Sequence, residues 1–334
     1  MNKIILDQYG IQMHEKATNG PYEAFKYRNI LYSIIPVEDL ELEEIIEFKH
    51  LSDYMIQKGE PFTGRILPTK DGQPVCSQGD RFRFILIQCP PHASSRTILL
   101  GKELARFHQK GRTYPYPVKK NNRIGQWKYL WEKRLDQMEL FWKDRVKQHP
   151  RNQFETLFAE SFQYYIGMTE NAIQYLVDTE LDDTPMPNDS ATICHQRFTH
   201  QLWYEKNGMR LPTDWVFDHA SRDLAEYVRD QILTNDRLDF SQLNDFFYQY
   251  ERVAPLTSFS WRLLYSRLLF PVHYFNCIEG YYLSNAEQQK ETFEQQLKHH
   301  LHLSDEYEKV LSNFQLMASS NRKMNLPRVD WLAK

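Results

Sequence analysis

Glycine is scarce in this sequence, with 12 residues among 334. A collagen-like repeat, a low-complexity tract and a glycine-rich phosphate-binding loop are therefore all disfavoured. Cysteine is rare as well, and the cysteines lie far apart, without the paired spacing of a metal site. The four are Cys76, Cys89, Cys194 and Cys277. This distribution is typical of reduced, partly buried thiols in a protein made in a reducing compartment.

An excess of charge of one sign is also missing. The 41 basic and 44 acidic side chains leave a formal net charge of −3. Domains that bind nucleic acid usually present a strongly basic face, so this balance gives no reason to expect a nucleic-acid partner. A small basic group at Lys119, Lys120 and Arg123 is interpreted as a solvated loop.

Long uncharged apolar runs are absent too. The amino terminus, MNKIILDQYG, has one basic residue and a three-residue apolar run, which is too short and too polar for a signal peptide. The most hydrophobic stretch, residues 261–283, contains Arg262, Arg267, His273 and Glu279. Charges at those depths are costly in lipid, so we expect a soluble protein without a membrane partner.

The first ninety residues have the pattern of a small sheet with one helix. The predicted strands are residues 4–12, 22–26, 29–37, 64–68 and 81–88. Residues 40–58 carry apolar side chains at helical spacing behind an acidic first turn, which predicts a helix. Residues 69–72 form a turn built on Asp-Gly, and Pro90 and Pro91 end the sheet because neither can donate to a ladder.

Beyond residue 90 the pattern is mainly helical. Helices are predicted at residues 95–110, 126–148 and 152–179, and from residues 222, 239, 261 and 286 onward. Short extended pieces are predicted at residues 191–194, 202–205 and 214–217, with Asn207-Gly208 as a hairpin signal. Gly111 is predicted to end the first of these helices as a C-cap.

This order of elements predicts an α+β, protein-kinase-like fold with two lobes. Residues 1–90 would form the N-lobe, a small antiparallel sheet with one helix. Residues 91–334 would form a large, mainly helical C-lobe, interrupted by a short hairpin. The proline-marked stretch at residues 89–91 would be the boundary between them.

One segment carries a resemblance to a known family. Residues 193–230 read ICHQRFTHQLWYEKNGMRLPTDWVFDHASRDLAEYVRD. They resemble the catalytic and metal-binding segment of the aminoglycoside-phosphotransferase and choline-kinase-like superfamily, and more narrowly the branch with bacterial spore coat proteins of the CotS and YutH type. Residues 69–72 and 100–108 resemble that family's second hairpin and its first large-lobe helix. The resemblance spans nearly the whole chain and implies a kinase-like fold.

In active members of the superfamily, the segment runs His-x-Asp, then Asn five residues after that Asp, then a strand that ends Asp-x-Asp. The first Asp takes the proton of the acceptor hydroxyl, while the Asn and a later Asp hold magnesium against the phosphates. The matching positions here are His195, Arg197, Leu202, Val216 and Asp218. The resemblance therefore implies a degenerate catalytic loop near residues 193–218, in which no catalytic set is intact.

These replacements remove side chains that phosphotransfer needs, while the surrounding pattern of the motif is kept. Arg197 replaces the base with a permanent cation, and Leu202 has no ligand atom where the Asn would be. Val216 takes the place of the first metal-binding Asp, while Asp218 keeps the second. No Asp or Asn lies between His195 and residue 204, so a shift of one position would not restore the set.

The predicted small lobe agrees with this loss. Its third strand, residues 29–37, contains no lysine where active members place the one that contacts phosphate. Lys26 and Arg28 precede that strand and could substitute only under a different register. Residues 19–21, Asn-Gly-Pro, are interpreted as an ordinary turn rather than a glycine-rich loop.

Three of the matching positions have a structural interpretation, and for two of them a functional alternative is also given. His195 is expected to brace the loop by hydrogen bonds. Asp218 is expected to cap a turn or to pair with Arg197 or Arg222, and single-metal ligation is the alternative. Arg197 is expected to neutralise a carboxylate, with binding of an anion as the alternative.

Three further groups invite functional interpretations. His299, His300 and His302 suggest zinc, but three histidines on one helical segment cannot all face one ion. Cys194 and His195 suggest a nucleophile with its base, but neighbours on a strand point to opposite faces. An aromatic run is interpreted as core, with a docking patch as the alternative; it comprises Tyr274, Phe275, Tyr281 and Tyr282.

The resemblance implies a pseudokinase that serves as a structural or interaction component of the bacterial spore coat. It would be synthesised in the mother-cell cytoplasm, bind other spore coat proteins, and use no cofactor, metal or small-molecule substrate. The alternative is an ATP-dependent small-molecule phosphotransferase with an atypical site, in which Asp218 and Asp223 would hold magnesium with ATP. A third possibility is a pseudokinase that binds ATP without turnover.

Overall fold

The fold is taken from a computed structural model. It describes residues 1–78, 82–90, 99–203, 209–235, 238–318, 326–327 and 329–332. The chain forms two compact units, which we describe separately. The first comprises residues 1–123 with 191–220, and the second comprises residues 124–190 with 221–334. The predicted lobe boundary at residue 90 falls inside the first unit, so a division there stays a prediction.

The first unit contains eight named strands and three named helices in its described part. The strands are β1 Glu15–Asn19, β2 Tyr22–Tyr27, β3 Ile30–Pro36, β4 Arg65–Leu67, β5 Cys76–Gln78, β6 Phe82–Gln88, β7 Thr192–His195 and β8 Trp215–Asp218. The helices are α1 Asn2–Tyr9, α2 Leu42–Gln57 and α3 Leu100–Arg112. β1 to β6 form one antiparallel sheet in the order β1-β2-β3-β6-β4, and β5 also pairs with β6.

Two helices bury the two faces of this sheet. Ile5 of α1 lies in one apolar cluster with Phe25, Phe84 and Leu86. Ile45 and Phe48 of α2 lie in a second cluster with alternate residues of β3 and β6. The helix α2 begins with a capping box at Glu41, whose backbone N–H donates to the Glu44 carboxylate. The small sheet is therefore covered on both sides.

The predicted strand at residues 4–12 is wrong, because this stretch contains helix α1. Ile5 and Tyr9 are one helical turn apart and pack on the same cluster of the sheet. Gly10 ends the helix with φ at 70°, and its N–H donates to the carbonyl of Leu6. Glycine adopts this left-handed conformation without the usual Cβ penalty. The short apolar run at residues 4–6 suggested a strand. The i, i+4 spacing of Ile5 and Tyr9 and the glycine cap at Gly10 are instead those of a helix.

Several other local predictions hold within one or two residues, whereas the helix predicted at residues 152–179 ends three residues later and the one predicted from residue 261 begins three residues earlier. The predicted strands at residues 22–26 and 29–37 are β2 and β3, and the predicted helix at residues 40–58 is α2. β1 and β5 were not predicted, since both are short and polar at edges of the sheet. Residues 204–208, with the predicted Asn207-Gly208 hairpin, lie outside the described residues, and residues 202–203 form a turn rather than a strand.

The second unit is helical throughout its regular elements. Its helices are α4 Trp127–Lys147, α5 Gln153–Asp182, α6 Ser221–Thr234, α7 Phe240–Glu251, α8 Ser258–Leu269, α9 Val272–Leu283, α10 Glu287–His302, α11 Ser304–Ser312 and α12 Phe314–Ala318. α5 packs on α4 and α8, and α8 also packs on α6. Within the described part of the chain, no helix combines the length and apolarity needed to cross a bilayer.

A buried ion triad lies in the core of this unit. Glu226 of α6 pairs with Arg229 at 2.7 Å and with Arg267 of α8 at 3.1 Å. The Arg229 guanidinium also donates to the hydroxyl of Tyr307 and to the carbonyl of Phe270. Buried charges persist when they are paired and hydrogen-bonded in this way.

Candidate functional site

The hairpin of β7 and β8 frames the segment with the family resemblance. Thr192 lies opposite Asp218, and His195 lies opposite Trp215. The N–H of Gln196 donates to the carbonyl of Asp214 at 2.7 Å and so closes the loop between the two strands. His195 and Asp218 therefore stand at opposite ends of one short antiparallel ladder.

His195 is held inside an aromatic cluster of the first unit. Its Nε2 accepts a hydrogen bond from the Trp203 indole N–H at 3.2 Å, and its ring stacks on Phe107 at 5.2 Å. Phe198 and Trp203 pack edge-on at the same place. The ring is 1% exposed, and this geometry orients the loop from inside.

Arg197 is the residue that the sequence motif matches to the family's catalytic base. The side chain is exposed at the start of the loop. Among the residues that the structure describes, Arg197 has no ion-pair partner. The expected neutralisation of a neighbouring carboxylate is therefore absent from the described contacts, and the loop presents a permanent cation to solvent.

The three remaining motif positions differ in burial. Leu202 is half-buried, and its N–H donates to the carbonyl of Thr199 at 3.2 Å. Val216 is buried in β8 opposite Cys194. Asp218 is fully buried, and its Oδ1 accepts the N–H of His219 at 2.8 Å. Of these three side chains, Asp218 alone carries an oxygen that could hold a cation.

A buried ion pair links the end of this loop to the stretch of chain that precedes β4. Glu60 pairs with Arg210, and both side chains are almost fully buried. The other Glu60 oxygen accepts from Lys110 Nζ at 3.0 Å. The Arg210 guanidinium lies 3.7 Å from the centre of the Trp203 ring, a cation–π contact. Burial lowers the pKa of Arg210, while the charge of Glu60 opposes that change.

Backbone contacts accompany this ion pair. The N–H of Arg210 donates to the carbonyl of Phe62 at 2.7 Å, and the N–H of Gly64 donates to the carbonyl of Arg210 at 3.1 Å. The sequence alone did not point to Glu60 or Arg210. The two residues are remote from each other along the chain, and although Arg210 lies within residues 193–230, it is not one of the positions that match the family's catalytic motif.

The α2-facing side of the sheet is packed with side chains from the same unit. Met209 and Leu211 join the apolar cluster of Ile35 and Ile87, and Cys89 belongs to it as well. An added Cβ at Gly64 would lie 2.7 Å from Ile87 and 3.0 Å from Met209, so the backbone approaches closely here. Side chains fill the surface beneath β3 and β6.

The third strand of the sheet, β3, carries no lysine, and its buried Ser33 belongs to a small polar cluster. The Ser33 hydroxyl accepts from Asn19 Nδ2 at 3.0 Å and lies 3.3 Å from the Cys89 sulfur. Lys26 lies on β2 and pairs with Glu15 at 3.3 Å, while Arg28 lies in the β2–β3 turn. Neither cation belongs to β3.

The link between β1 and β2 is a tight turn. Asn19 pairs with Tyr22, so only Gly20 and Pro21 join the strands, and Gly20 has φ at 59°. A two-residue hairpin turn is too short to wrap around a phosphate chain. This observation matches the turn predicted at residues 19–21.

The other sequence candidates have structural contacts. His299 Nε2 lies 2.9 Å from the carbonyl of Leu233, and His300 packs edge-on against His273 at 5.0 Å. The Cys194 thiol donates to the carbonyl of His219 at 3.4 Å. The aromatic run lies on α9, where Tyr274, Phe275 and Tyr281 are buried and Tyr282 is half-buried. Asp223 belongs to the second unit, buried in the first turn of α6.

Comparisons with known proteins agree with this fold. The family model described as "Spore coat putative kinase YutH" matches residues 2–314. The chain is 46% identical over 333 residues to the endospore coat-associated protein YutH of Bacillus subtilis (strain 168), which covers 99% of this chain and 97% of that protein.

Solved structures give the fold independently. An aminoglycoside phosphotransferase from Alicyclobacillus acidocaldarius matches with a TM-score of 0.62 and 12% identity, covering 92% of this chain and 93% of that one. The AMP-bound spectinomycin phosphotransferase matches with a TM-score of 0.60 and 12% identity, covering 96% and 98%. At this identity the likeness shows the fold alone, and it confirms the predicted kinase-like α+β class.

Proposed function

This chain belongs to the YutH family of spore coat proteins, and from that premise we propose that it is a non-catalytic, kinase-like component of the bacterial spore coat. The family predicted from residues 193–230 is confirmed, and its kinase-like fold is established. The loss of phosphotransfer is our inference from the residues of the loop.

The observation that carries the proposal is Arg197. Phosphotransfer in this fold needs a carboxylate at this position to orient the acceptor hydroxyl and take its proton. A guanidinium keeps its proton at every physiological pH and repels a second proton. Its exposed position leaves the charge unneutralised within the described part of the chain.

Metal binding is weakened at the neighbouring positions. Magnesium demands several oxygen ligands in near-octahedral geometry. Leu202 and Val216 offer hydrocarbon where the family offers an amide and a carboxylate. Asp218 is left as a single carboxylate, and its Oδ1 already accepts a backbone N–H. We propose that the protein uses neither magnesium nor ATP.

The proposed role is interaction with other spore coat proteins. The relative from Bacillus subtilis is named as endospore coat-associated. We extend that association to this chain, with synthesis in the mother-cell cytoplasm and assembly onto the coat. The packed loop and sheet of the first unit would then serve as a rigid scaffold.

A thermal-shift titration with ATP, with and without magnesium, tests the proposal. A ligand that binds the native state must raise the unfolding midpoint by mass action, so no assumed acceptor is needed. We expect no shift at millimolar nucleotide. A magnesium-dependent rise would contradict the proposal and favour an active or sensing kinase.

The surviving Asp218 supports one alternative, an atypical small-molecule phosphotransferase. If that alternative holds, the magnesium-dependent shift disappears in Asp218→Ala. Assays with choline, sugars and aminoglycosides should then show turnover above a heat-inactivated control. A shift without turnover would instead mark a nucleotide-sensing pseudokinase.

A further inference from the structure

Residues 119–123 of the first unit lie along the edge of β8 that β7 leaves open. The Phe217 N–H donates to the carbonyl of Asn121 at 2.8 Å, and the Arg123 N–H donates to the carbonyl of Phe217 at 2.8 Å. Asn122 thereby pairs with Phe217 in a parallel bridge. Since β7 pairs with the other edge of β8, these residues complete a short three-stranded arrangement around the strand that carries Asp218.

One carboxylate of α2 binds the beginning of this stretch. The Lys119 N–H donates to Glu47 Oε1 at 2.8 Å, and the Asn121 N–H donates to Glu47 Oε2 at 2.9 Å. The Lys120 N–H lies 3.1 Å from both oxygens, and Asn121 Nδ2 donates to Oε2 at 3.2 Å. Three consecutive backbone N–H groups thus converge on one negative charge, and hydrogen bonds to an ionised acceptor are stronger than neutral ones.

The contact depends on the charge of Glu47, because both of its oxygens act as acceptors. A protonated carboxyl or a glutamine amide turns one of the two atoms into a donor, which would then face N–H groups that also donate. Ile45 and Phe48 of the same helix are buried in the core of the sheet. Loss of the charge would therefore free residues 119–121 and leave α2 in place.

The groups around Glu47 carry charges of both signs. They are Glu43 and Glu44 of α2, Tyr114, Lys119 and Lys120 of the bound stretch and its approach, and Asp214 in the turn that packs on α2. Burial by itself would raise the pKa of Glu47, but the backbone N–H groups of residues 119–121 outweigh it and hold the pKa below its ordinary value of about 4.5. The carboxylate is therefore ionised at neutral pH and is neutralised only below about pH 4.5.

We propose that Glu47 is a charge-dependent latch on the hairpin of β7 and β8. While its carboxylate is ionised, it holds residues 119–123 against β8. When the carboxylate is neutralised, the three N–H groups lose their acceptor, residues 119–123 leave β8, and the N–H and carbonyl of Phe217 become exposed to solvent. The hairpin that bears the degenerate motif then changes from a covered sheet edge to an open one.

Amide hydrogen exchange of the full chain at pH 7, read by mass spectrometry at single residues, tests the latch. In Glu47→Gln we expect the protection of the Arg123 and Phe217 amides to fall at least about tenfold below that of the wild type, because local opening governs exchange there. The Gln196 amide, which donates to the carbonyl of Asp214 in the same hairpin, should change by less than about twofold. Unchanged Arg123 and Phe217 amides, or an equal loss at Gln196, would overturn the proposal.

Glu43→Gln is the matched control for this substitution. Glu43 is exposed one helical turn before Glu47 on α2, and its replacement removes the same charge. We expect this control to change the protection of the Arg123 and Phe217 amides by less than about twofold. A loss equal to that in Glu47→Gln would mean that any lost charge on α2 has this effect, and it would contradict a latch at Glu47.

The wild type gives the same test without a substitution, which decides the matter if Glu47→Gln does not fold. A folded pKa below the unfolded value means that the latch is present above about pH 4.5 and is lost as the pH falls through the folded pKa. Protection at Arg123 and Phe217, corrected for the intrinsic exchange rate at each pH, should therefore fall between pH 4.5 and pH 3.5 while Gln196 stays protected. A parallel loss at all three amides would indicate general unfolding and would contradict the latch.

Discussion

At the scale of single residues, the carboxylate of Glu60 holds two cations, Lys110 and Arg210. Removing one partner of a buried pair leaves the other charge uncompensated, which costs about 3–5 kcal/mol. We therefore expect Glu60→Gln to lower the free energy of unfolding by about 3 kcal/mol, measured by urea denaturation. Glu103→Gln, on the partly exposed side of α3, should change it by less than about 1 kcal/mol.

The double variant Glu60→Gln with Arg210→Met distinguishes the contribution of the ion pair to stability from that of the packing around it. A hydrophobic replacement of a buried pair is often neutral, because the desolvation cost disappears with the charges. The double variant should be more stable than Glu60→Gln alone. A double variant that is less stable than the single one would show that stacking on Trp203 outweighs the ion pair.

The Glu226 triad predicts a pH dependence. Burial raises the pKa of Glu226, but Arg229 and Arg267 outweigh it and lower the pKa to about 2. A folded pKa below the unfolded value of about 4.5 means that the stabilisation is present above pH 4.5 and is lost as the pH falls toward 2. Stability should therefore drop over this window.

Glu226→Gln makes that dependence measurable. The variant should be less stable than the wild type at pH 6, by up to about 3 kcal/mol, and the difference should shrink as the pH falls below 4.5. Urea midpoints of both proteins from pH 6 to pH 3 give the result. A difference that stays constant across the window would assign the loss to packing rather than to charge.

The sequence could predict which residues stand at the motif positions but not what surrounds them. His195 and Asp218 are close along the chain and joined by one hairpin, so local pattern and family resemblance located them. The Trp203–His195 hydrogen bond and the Glu60–Arg210 pair depend on tertiary packing. No periodicity or spacing in one sequence encodes such contacts.

At the scale of the element, long segments with clear periodicity were predicted well, and short ones were not. α2, α4 and α5 begin and end near their predicted residues because each buries a continuous apolar stripe. α1 was mistaken for a strand because eight residues hold too little periodicity. Gly111 was predicted as a helix end, yet it lies inside α3.

Packing explains why glycine stands at position 111. An added Cβ would lie 2.5 Å from Thr192 Oγ1 and 2.7 Å from the backbone nitrogen of Ile193. α3 therefore approaches β7 so closely that any side chain would push the hairpin away. The glycine serves a close contact between elements rather than a cap.

Two glycine substitutions test this contact. Gly111→Ala should lower the free energy of unfolding by about 1–3 kcal/mol through overpacking. Gly167→Ala, inside α5 with nothing within 4 Å of the added Cβ, should raise it by about 0.5–1 kcal/mol. Thermal or urea unfolding of both variants gives the comparison. If Gly111→Ala is more stable than the wild type, β7 can move away from α3 without a loss of stability.

At the scale of the whole molecule, the departures from the family's phosphotransfer motif are distributed over several elements. Arg197 and Leu202 lie in the loop, β3 carries no lysine, and a two-residue turn joins β1 to β2. If the proposed non-catalytic role holds, no single substitution should confer nucleotide binding.

The double reversion Arg197→Asp with Leu202→Asn tests this distribution. We expect no magnesium-dependent shift with ATP, because the sheet still lacks a lysine on β3 and Met209 and Leu211 still fill its inner face. The wild type in the same titration is the control. A shift that appears only in the reverted protein would mean that the residues at positions 197 and 202 alone prevent nucleotide binding.

The first unit is assembled from two separate stretches of chain, residues 1–123 and 191–220. During synthesis the second stretch leaves the ribosome about a hundred residues after the first, a delay of about 5–20 s at usual translation rates. Throughout that interval the inner face of the sheet lacks Met209 and Leu211, and Glu60 lacks its buried arginine. The nascent chain thus presents an unfinished apolar surface for several seconds before the unit can close.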